Sequence, residues 1–378
     1  MKQYRFLLIS IAFLLAFSSC REDVIIPEEL IDNVTDGEAG EIIGFYLLNE
    51  GNMGMNKASI DYFDYTTGNY HQDIYPSRNP SIVKELGDVG NDIQIYGNKL
   101  YAVINCSNYI EVMDKRTAVH IGSVAIPNCR YLAFYKGKAY ISSYSGKVEI
   151  NPNAEKGFVA EIDTATLSIT RKVTVGYQPE EMVIHNGKLY VANSGGYRVP
   201  NYDRTVSVID LNTFEVKKTI DVAINLHRMK IDKRGDIYVS SRGDHNNIPP
   251  NLFVIDTQID EVKQNLNIQV NNMYMCGDSL YYYGIASAMP GQSGAKFGIL
   301  DTRTKTIIND NIITDGTDKK IVMPYGLTVN PNTKEIYITD AQNYVVSGYL
   351  YCFRPDGTMK WRTLAGNIPA HITFLRDN

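Results

Sequence analysis

Two short motifs recur along this chain of 378 residues, and their repetition restricts the fold more strongly than any other feature. The first motif alternates apolar and polar residues around a tyrosine, as a half-buried β-strand does. These tyrosines are Tyr46, Tyr101, Tyr140, Tyr190, Tyr238, Tyr281 and Tyr337. The second motif is an apolar strand that ends in an aspartate, and successive aspartates are 45 to 50 residues apart. They are Asp64, Asp114, Asp163, Asp210, Asp256 and Asp301, and Arg354 takes this position in the seventh copy. Four short strands repeated about every 45 residues are typical of a β-propeller blade.

The fourth copy shows all the strands of one unit, which we name a, b, c and d. They are predicted at residues 181–185, 188–193, 205–210 and 216–222. The last pattern of the chain, residues 369–375, has the character of a strand a, whereas the first unit starts at its strand b. We therefore predict an all-β fold in which residues 41–378 form one seven-bladed β-propeller. The C-terminal strand completes the first blade, so that the ring has no free edge.

The N-terminus has the pattern of an export signal. Residues 1–19 comprise a positively charged start, an apolar run at 6–17 and small residues directly before Cys20. This pattern resembles a bacterial lipoprotein signal, in which Cys20 becomes the lipidated first residue, although an ordinary secretory signal is the alternative. The apolar run is short for a transmembrane span. The acidic residues at 21–23 resemble a surface-export signal of Bacteroidetes lipoproteins, and residues 20–40 are predicted to be a flexible tether.

Four further cysteines lie in the propeller region, and an exported protein can form disulfides. Cys106 and Cys129 are expected at the same end of one structural unit. A disulfide between them and a pair of buried thiols are both compatible with the sequence. Cys276 and Cys352 lie inside strand patterns and are predicted to be core residues.

The loops predict which face of the propeller carries the function. In an antiparallel meander the a–b and c–d turns share one face, and the b–c and d–a loops share the other. The b–c loops are the long ones, among them 143–157, 194–204 and 241–251, and long loops on a rigid scaffold concentrate binding residues. The starts of the strands a also ring the channel mouth on this face. The candidate ligand-binding residues are Arg130, Tyr131, Tyr144, Tyr197, Arg198, Tyr202, His227, Arg228, Arg242, His245, Asn246, Asn272, Tyr325, Asn343 and Tyr344.

These candidates are tyrosine, arginine, histidine and asparagine side chains. Tyrosine offers rigid aromatic area with a polar tip, arginine offers planar donors, and asparagine can pair with amides. Any one of them alone could equally be a solvated loop residue or hold a channel water. Their concentration on one face predicts a ligand site.

Several classes of function are disfavoured by the sequence. The net charge of −5 argues against a nucleic-acid binder, which would show a basic surface. The motifs of serine hydrolases, zinc proteases and P-loop enzymes are missing from the sequence, so we predict no catalytic residues, no resident cofactor and no metal. One alternative remains, because Asp92, Glu181, His227 and Asn272 could converge on a divalent ion, as in calcium-dependent lactonase propellers.

The repeat resembles the YVTN-repeat propellers, whose recurring strands look like the LYVAN and VSVID of this chain, and the resemblance covers residues 41–376. Together with the N-terminal signal, the chain resembles the cobalamin-capturing surface lipoproteins of gut Bacteroidetes, the BtuG type. That resemblance implies a surface-exposed outer-membrane lipoprotein that binds vitamin B12 or a related corrinoid on its loop face. It also implies a TonB-dependent outer-membrane transporter as partner, with cobalamin as transported ligand rather than cofactor. A glycan-binding protein, a lactonase- or lyase-type enzyme and an adhesion protein are the alternatives.

Overall fold

The computed structural model describes residues 27–38, 40–82, 85–285, 291 and 294–377. The strands of the first three units are β1 (Leu30–Asn33), β2 (Ile42–Asn49), β3 (Ser59–Asp64), β4 (Asn69–Gln72), β5 (Gly90–Tyr96), β6 (Lys99–Ile104), β7 (Tyr109–Asp114), β8 (His120–Ala125), β9 (Cys129–Tyr135), β10 (Lys138–Ser143), β11 (Phe158–Asp163) and β12 (Ser168–Thr174). The next two units contain β13 (Pro179–His185), β14 (Lys188–Asn193), β15 (Thr205–Asp210), β16 (Glu215–Asp221), β17 (Leu226–Ile231), β18 (Asp236–Ser241), β19 (Asn251–Asp256) and β20 (Glu261–Asn265). The last strands are β21 (Asn272–Cys276), β22 (Ser279–Gly284), β23 (Lys296–Asp301), β24 (Thr306–Asn309), β25 (Pro324–Val329), β26 (Ile336–Asp340), β27 (Ser347–Phe353), β28 (Met359–Asn367) and β29 (Pro369–Arg376). A short helix α1 (Ile74–Arg78) and a 3-10 helix (Thr317–Lys320) lie between blades.

These strands form seven antiparallel sheets, which are the seven blades of a β-propeller. Blades 2 to 7 are each a meander of four consecutive strands, starting at β5, β9, β13, β17, β21 and β25. The first strand of each meander contacts the first strand of the next blade, so these strands surround the central channel. The predicted all-β, seven-bladed fold is therefore confirmed.

The ring is closed by the C-terminal strand, as predicted. In blade 1, β29 takes the innermost place and pairs antiparallel with β2, so that Phe45 lies opposite Phe374 and Leu48 opposite His371. On the channel side β29 also contacts β5 and β25, which are the innermost strands of the two neighbouring blades. The two ends of the domain thus share one sheet, and no inner strand is left unpaired.

Part of the segment that the sequence analysis placed in the tether is ordered on blade 1. Strand β1 pairs antiparallel with the outer strand β4, and Leu30 lies opposite Gln72. Glu29 joins this strand to α1, because its carboxylate lies 2.9 Å from His71 Nδ1 and accepts a hydrogen bond of 2.6 Å from Ser77. The tether range of 20–40 therefore includes a fifth strand. The signal peptide and Cys20 lie outside the described residues, and in the described part of the chain no helix is long and apolar enough to cross a membrane.

The two repeated residues stabilise turns and blade contacts. In several copies the tyrosine of strand b reaches the c–d turn of the next blade: Tyr46 donates a hydrogen bond of 2.9 Å to the Lys115 carbonyl, and Tyr238 one of 3.1 Å to that of Thr302. The aspartate that ends strand c accepts hydrogen bonds from backbone amides of its own turn, as Asp210 does from Asn212 at 2.8 Å. The repeat therefore encodes both the turn and the contact between neighbouring blades.

The described cysteines are free thiols, and the possible Cys106–Cys129 disulfide is not formed. The Cys129 thiol is buried and points toward the backbone carbonyls of Ile104 and Tyr109, at 3.8 and 3.4 Å. Cys106 is half-buried, and its Sγ lies 3.3 Å from Asn105 Oδ1. The two side chains thus have separate surroundings, and both are free thiols, of which only Cys129 is buried.

Candidate functional site

A cavity of about 510 Å³ opens on the face of the propeller that carries the long loops. We call it the loop-face cavity. All seven blades contribute to its wall, represented by Glu50, Asn91, Arg130, Tyr197, Arg228, Asn272 and Tyr325. Most of these residues start a strand a or follow the end of a strand b, which are the positions that meet at the channel mouth. Its volume lies within the range of about 300–1,000 Å³ that is usual for small-molecule sites.

The structure brings ten of the fifteen candidate residues to this cavity and leaves five outside it. Those that line it are Arg130, Tyr131, Tyr197, His227, Arg228, Arg242, His245, Asn272, Tyr325 and Tyr344. Those that do not are Tyr144, Arg198, Tyr202, Asn246 and Asn343. Tyr144 is buried behind the wall, and Asn246 and Asn343 are exposed in their loops. The ligand-binding role of all fifteen stays a prediction.

One buried carboxylate organises the arginine-rich side of the wall. Glu180 has a fully buried side chain, and its oxygens lie 3.2 Å from Arg130 Nη2 and 3.0 Å from Arg242 Nη2. Tyr144 also donates a hydrogen bond to this carboxylate. Burial alone would raise the pKa of Glu180, but the two arginine charges and the tyrosine outweigh it and the pKa is lowered. Glu180 is therefore charged and balances part of the charge of the two guanidinium groups.

A second chain of contacts runs through Arg228 and Tyr131. Arg228 Nη1 donates a hydrogen bond of 3.0 Å to the Tyr131 hydroxyl, which lies 3.2 Å from His227 Nε2. Burial and the nearby charges of Arg242, Arg228 and Arg130 lower the pKa of His227 well below its ordinary value. The imidazole is therefore neutral near pH 7. Because the tyrosine accepts from Arg228 and donates to Nε2, the His227 proton is assigned to Nδ1.

The opposite side of the cavity carries an acidic and aromatic group. Glu50 Oε2 accepts a hydrogen bond of 2.8 Å from the Tyr325 hydroxyl, and Glu50 Oε1 lies 3.6 Å from His371 Nε2. Tyr344 packs edge-on against Tyr325, with their ring centroids 6.2 Å apart. The cavity is thus cationic on the side of blades 3 to 5 and carries a carboxylate on the side of blades 1 and 7. Sequence reasoning missed Glu50, although its position directly after a strand b could have indicated it.

The loop at 194–204 is held in place by its own contacts. Gly195 has φ +54°, and a Cβ there would lie 2.2 Å from the backbone nitrogen of Asp203, so glycine is required. The Tyr197 amide donates a hydrogen bond of 2.7 Å to Gln178 Oε1, which presents the Tyr197 ring to the cavity. Arg198 instead stacks on Tyr177, with its Cζ 3.5 Å from the ring centroid, and the Tyr202 hydroxyl lies 3.4 Å from the Asp244 carbonyl. Of the three candidates in this loop, only Tyr197 lines the cavity.

The four residues considered for a metal site do not assemble into one. Asp92, Glu181 and Asn272 line a deeper chamber of about 210 Å³, while His227 lies on the wall of the loop-face cavity. The Asp92 carboxylate accepts a hydrogen bond of 2.9 Å from the Leu132 amide, and that of Glu181 accepts one of 2.6 Å from the Met229 amide. Among the described residues, no three His, Cys, Asp or Glu side chains lie close enough together to hold a metal ion.

The structure also places the one tryptophan of the sequence, Trp361. Trp361 is buried, with 6% of its surface exposed. It packs between blades 7 and 1 against Phe63 and Tyr337, at centroid distances of 5.2 and 5.9 Å. This tryptophan is therefore a core residue.

Solved structures share the fold of this chain at low sequence identity. A quinonprotein alcohol dehydrogenase-like protein from Bacteroides thetaiotaomicron is 16% identical, with a TM-score of 0.56 over 89% of this chain and 79% of that chain. Hydrazine synthase from Kuenenia stuttgartiensis is 17% identical, with a TM-score of 0.55 over 71% of this chain and 77% of that chain. A dihydro-heme d1 dehydrogenase is 10% identical, with a TM-score of 0.54 over 89% and 77% of the two chains. At these identities the likeness concerns the fold alone.

Sequence similarity gives a second comparison with known proteins. A search of curated proteins gave no match. A family model described as a domain of unknown function, DUF5074, matches residues 43–353, which extend from β2 in blade 1 to the end of β27, the third strand of blade 7. The match covers most of the propeller, and the chain therefore belongs to the DUF5074 family.

Proposed function

We propose that this protein captures a small ligand in the loop-face cavity, and that the ligand is vitamin B12 or a related corrinoid. The observation that carries the proposal is the cavity itself, which all seven blades line and which contains Arg130, Arg228 and Arg242 beside Tyr131, Tyr197 and Tyr325. A concave site with aromatic walls and a few convergent polar groups suits small-molecule binding. The choice of a corrinoid as the ligand rests, in addition, on the resemblance of the repeat and the N-terminal signal to those of cobalamin-capturing lipoproteins.

A corrinoid is larger than the cavity, so the proposed complex places only one part of it inside. The phosphate-bearing arm enters between the arginines, because an anion is favoured there. The broad ring, with its amide side chains, lies over the rim, where Tyr197 is partly exposed and where the loop tips carry exposed apolar side chains such as Met53 and Val345. These apolar groups suit the hydrophobic parts of a corrin ring.

The proposed cellular role is capture at the outer membrane. In this proposal Cys20 carries the lipid, the protein faces the outside of the cell, and the ligand passes to a TonB-dependent outer-membrane transporter. Cys20→Ser tests the anchor: the variant should leave the membrane fraction and lose labelled fatty acid. A variant that stays in the membrane and still incorporates the label would contradict lipidation at Cys20.

Binding can be tested with the full chain in detergent by calorimetric titration with cyanocobalamin. Cys106 provides the second measurement, because it is a half-buried thiol on the cavity wall, whereas Cys129, Cys276 and Cys352 are buried. Bound ligand should slow the reaction of Cys106 with a thiol reagent, and Cys106→Ser should remove the fast-labelling signal. Absence of heat and of protection would reject the corrinoid. Binding without protection would place the ligand outside this cavity.

A further inference from the structure

Arg228 differs from the other two arginines of the loop-face cavity because its charge has no close carboxylate partner. Arg130 and Arg242 share Glu180, whereas within the described residues no Asp or Glu oxygen lies within 4.0 Å of the Arg228 guanidinium. Arg228 is only 7% exposed, and its Nε has no hydrogen-bond partner in the described part of the chain. A buried, incompletely paired guanidinium is costly for the protein, so its retention needs a reason.

Among the described residues, each carboxylate near Arg228 has other partners, and none forms an ion pair with it. The nearby Glu181 is engaged by the Met229 amide at 2.6 Å and by the Lys230 ammonium. Glu50 is engaged by Tyr325 across the cavity, and Glu180 by the other two arginines. The groups that do contact Arg228 are neutral: the Tyr131 hydroxyl accepts its hydrogen bond, and the guanidinium lies over the Tyr131 ring at 5.2 Å. The positive charge therefore remains available to a ligand.

Arg228 also lies at the inner end of the loop-face cavity. It lines both the loop-face cavity and the deeper chamber, and Asn272 does the same, so these two side chains lie where the two spaces meet. A group that enters from the loop face reaches Arg228 at the bottom of the cavity. Guanidinium groups bind carboxylates and phosphates through parallel N–H donors, and the Arg228 side chain lines the cavity in which such a group would lie.

We infer that Arg228 binds a singly charged oxyanion, either a phosphate ester or a carboxylate, which the captured ligand inserts to the bottom of the loop-face cavity. This inference rests on the proposed capture function and adds the chemical class that the site selects. Arg130 and Arg242 form the wall beside this group, and their shared Glu180 disfavours a ligand with several negative charges. A corrinoid phosphodiester and free inorganic phosphate are two sources of the same chemistry.

The first experiment uses inorganic phosphate as the probe. The melting temperature of the full chain is measured in sodium phosphate and in sodium chloride of equal ionic strength, with sodium acetate as a carboxylate. We expect a saturable rise in phosphate for the wild type and its loss in Arg228→Met, which keeps an unbranched side chain without the guanidinium charge. Arg198→Met is the matched control, since Arg198 stacks on Tyr177 outside the cavity and should leave the response unchanged. Equal responses of wild type and Arg228→Met would overturn the inference.

The second experiment distinguishes the sources of the anion. Cyanocobalamin should bind the wild type at least tenfold more tightly than cobinamide, which lacks the nucleotide with its phosphate, and Arg228→Met should lose most of this preference. Should Arg228→Met fail to fold, Arg228→Lys keeps the charge without the planar fork and should lose several-fold in phosphate affinity. A phosphate response without corrinoid binding would reject the proposed ligand and keep the anion site. Corrinoid binding with neither a phosphate response nor a preference over cobinamide would reject the anion site alone.

Discussion

The hydroxyl of Tyr190 lies 2.6 Å from Oδ1 of Asp260, a residue in the c–d turn of the next blade. Lys188 binds the other oxygen of the same carboxylate at 2.6 Å, so two neighbours on one strand hold the adjacent blade. Tyr101 occupies the same position of the repeat two blades earlier, in blade 2, but its buried hydroxyl has no partner among the described residues. The seven tyrosines of the repeat therefore occupy equivalent positions in the sequence, but they do not contribute equally to the free energy of unfolding.

This difference predicts that the same substitution changes the free energy of unfolding unequally at the two positions. Tyr190→Phe removes a hydrogen bond to a charged group and should lower the free energy of unfolding by about 1.5 to 3 kcal/mol. Tyr101→Phe removes a buried hydroxyl without a partner, so its free energy of unfolding should stay within about 0.5 kcal/mol of the wild type or increase. Urea denaturation of both variants measures the difference. Equal losses in the two variants would contradict this account of the repeat.

A second prediction concerns Glu180, whose fully buried side chain balances Arg130 and Arg242. Glu180→Gln leaves two guanidinium groups near each other without a counterion. We expect a loss of about 3 kcal/mol, at the low end for a broken buried pair, because both arginines are partly exposed. The matched control is Glu181→Gln, which removes a neighbouring carboxylate that is 15% exposed and pairs with Lys230, and its cost should be smaller. Chemical denaturation measures the loss of unfolding free energy in both variants. A larger loss in Glu181→Gln would contradict the role of Glu180 as the counterion of the two arginines.

The fold was predictable from the sequence because the repeat is local. In the first six copies the c–d turn is fixed by an aspartate that binds amides two or three residues ahead, as Asp210 does with Asn212 and Thr213, and such spacing is visible in the chain. The closing strand was predictable because the first unit lacks a strand a. By contrast, strand β1 has a short and weak pattern, and only its pairing with β4 on the folded blade orders it.

The channel mouth was predictable in outline, and its chemistry was not. The starts of the strands a must meet there, and this placed Arg130, His227 and Arg228 on the wall. The charge balance depends on contacts between blades, such as those of Glu180 with arginines 50 residues before and 62 residues after it. No spacing rule in the sequence indicates which arginines form ion pairs with this glutamate. For the same reason the sequence could not separate Tyr197, on the wall, from Arg198, which stacks outside it.

The third prediction tests closure of the ring. Leu375 on β29 is 1% exposed and packs in the core between blades 1 and 2. Leu375→Ala should lower the free energy of unfolding by about 2 to 5 kcal/mol, because it removes buried methyl groups and leaves a cavity. Leu364→Ala on the outer strand β28 is the control, since Leu364 is 42% exposed and should cost about 0.5 kcal/mol or less.

Deletion of residues 369–378 should prevent stable folding altogether, and an unchanged melting temperature of that truncation would show that the ring closes in another way.

The fourth prediction concerns the pH dependence of stability. Burial and the surrounding arginines lower the pKa of His227 well below its ordinary value of 6.5. Below about pH 6.5 the unfolded chain binds a proton at this residue and the folded protein does not, so stability falls as the pH falls. One such group changes the free energy of unfolding by at most about 1.4 kcal/mol per pH unit. Because His227 is partly exposed, we expect about half of that change. His227→Gln should therefore have a shallower decline between pH 6.5 and 5 than the wild type, measured by urea denaturation, and parallel curves would contradict the lowered pKa.

The last prediction separates two adjacent residues of the loop at 194–204. Tyr197 lines the cavity, is 36% exposed and packs on Tyr144 at a centroid distance of 6.3 Å, so its ring is held in place for contact with a ligand. Tyr197→Ala should weaken cyanocobalamin binding by about 1.4 to 2 kcal/mol, which is roughly ten- to thirtyfold in the dissociation constant. Arg198→Ala is the matched control, because it removes a stack on Tyr177 outside the cavity and should change affinity less than threefold. Calorimetric titration of both variants decides, and a larger loss in Arg198→Ala than in Tyr197→Ala would show that the ligand contacts the outer side of this loop.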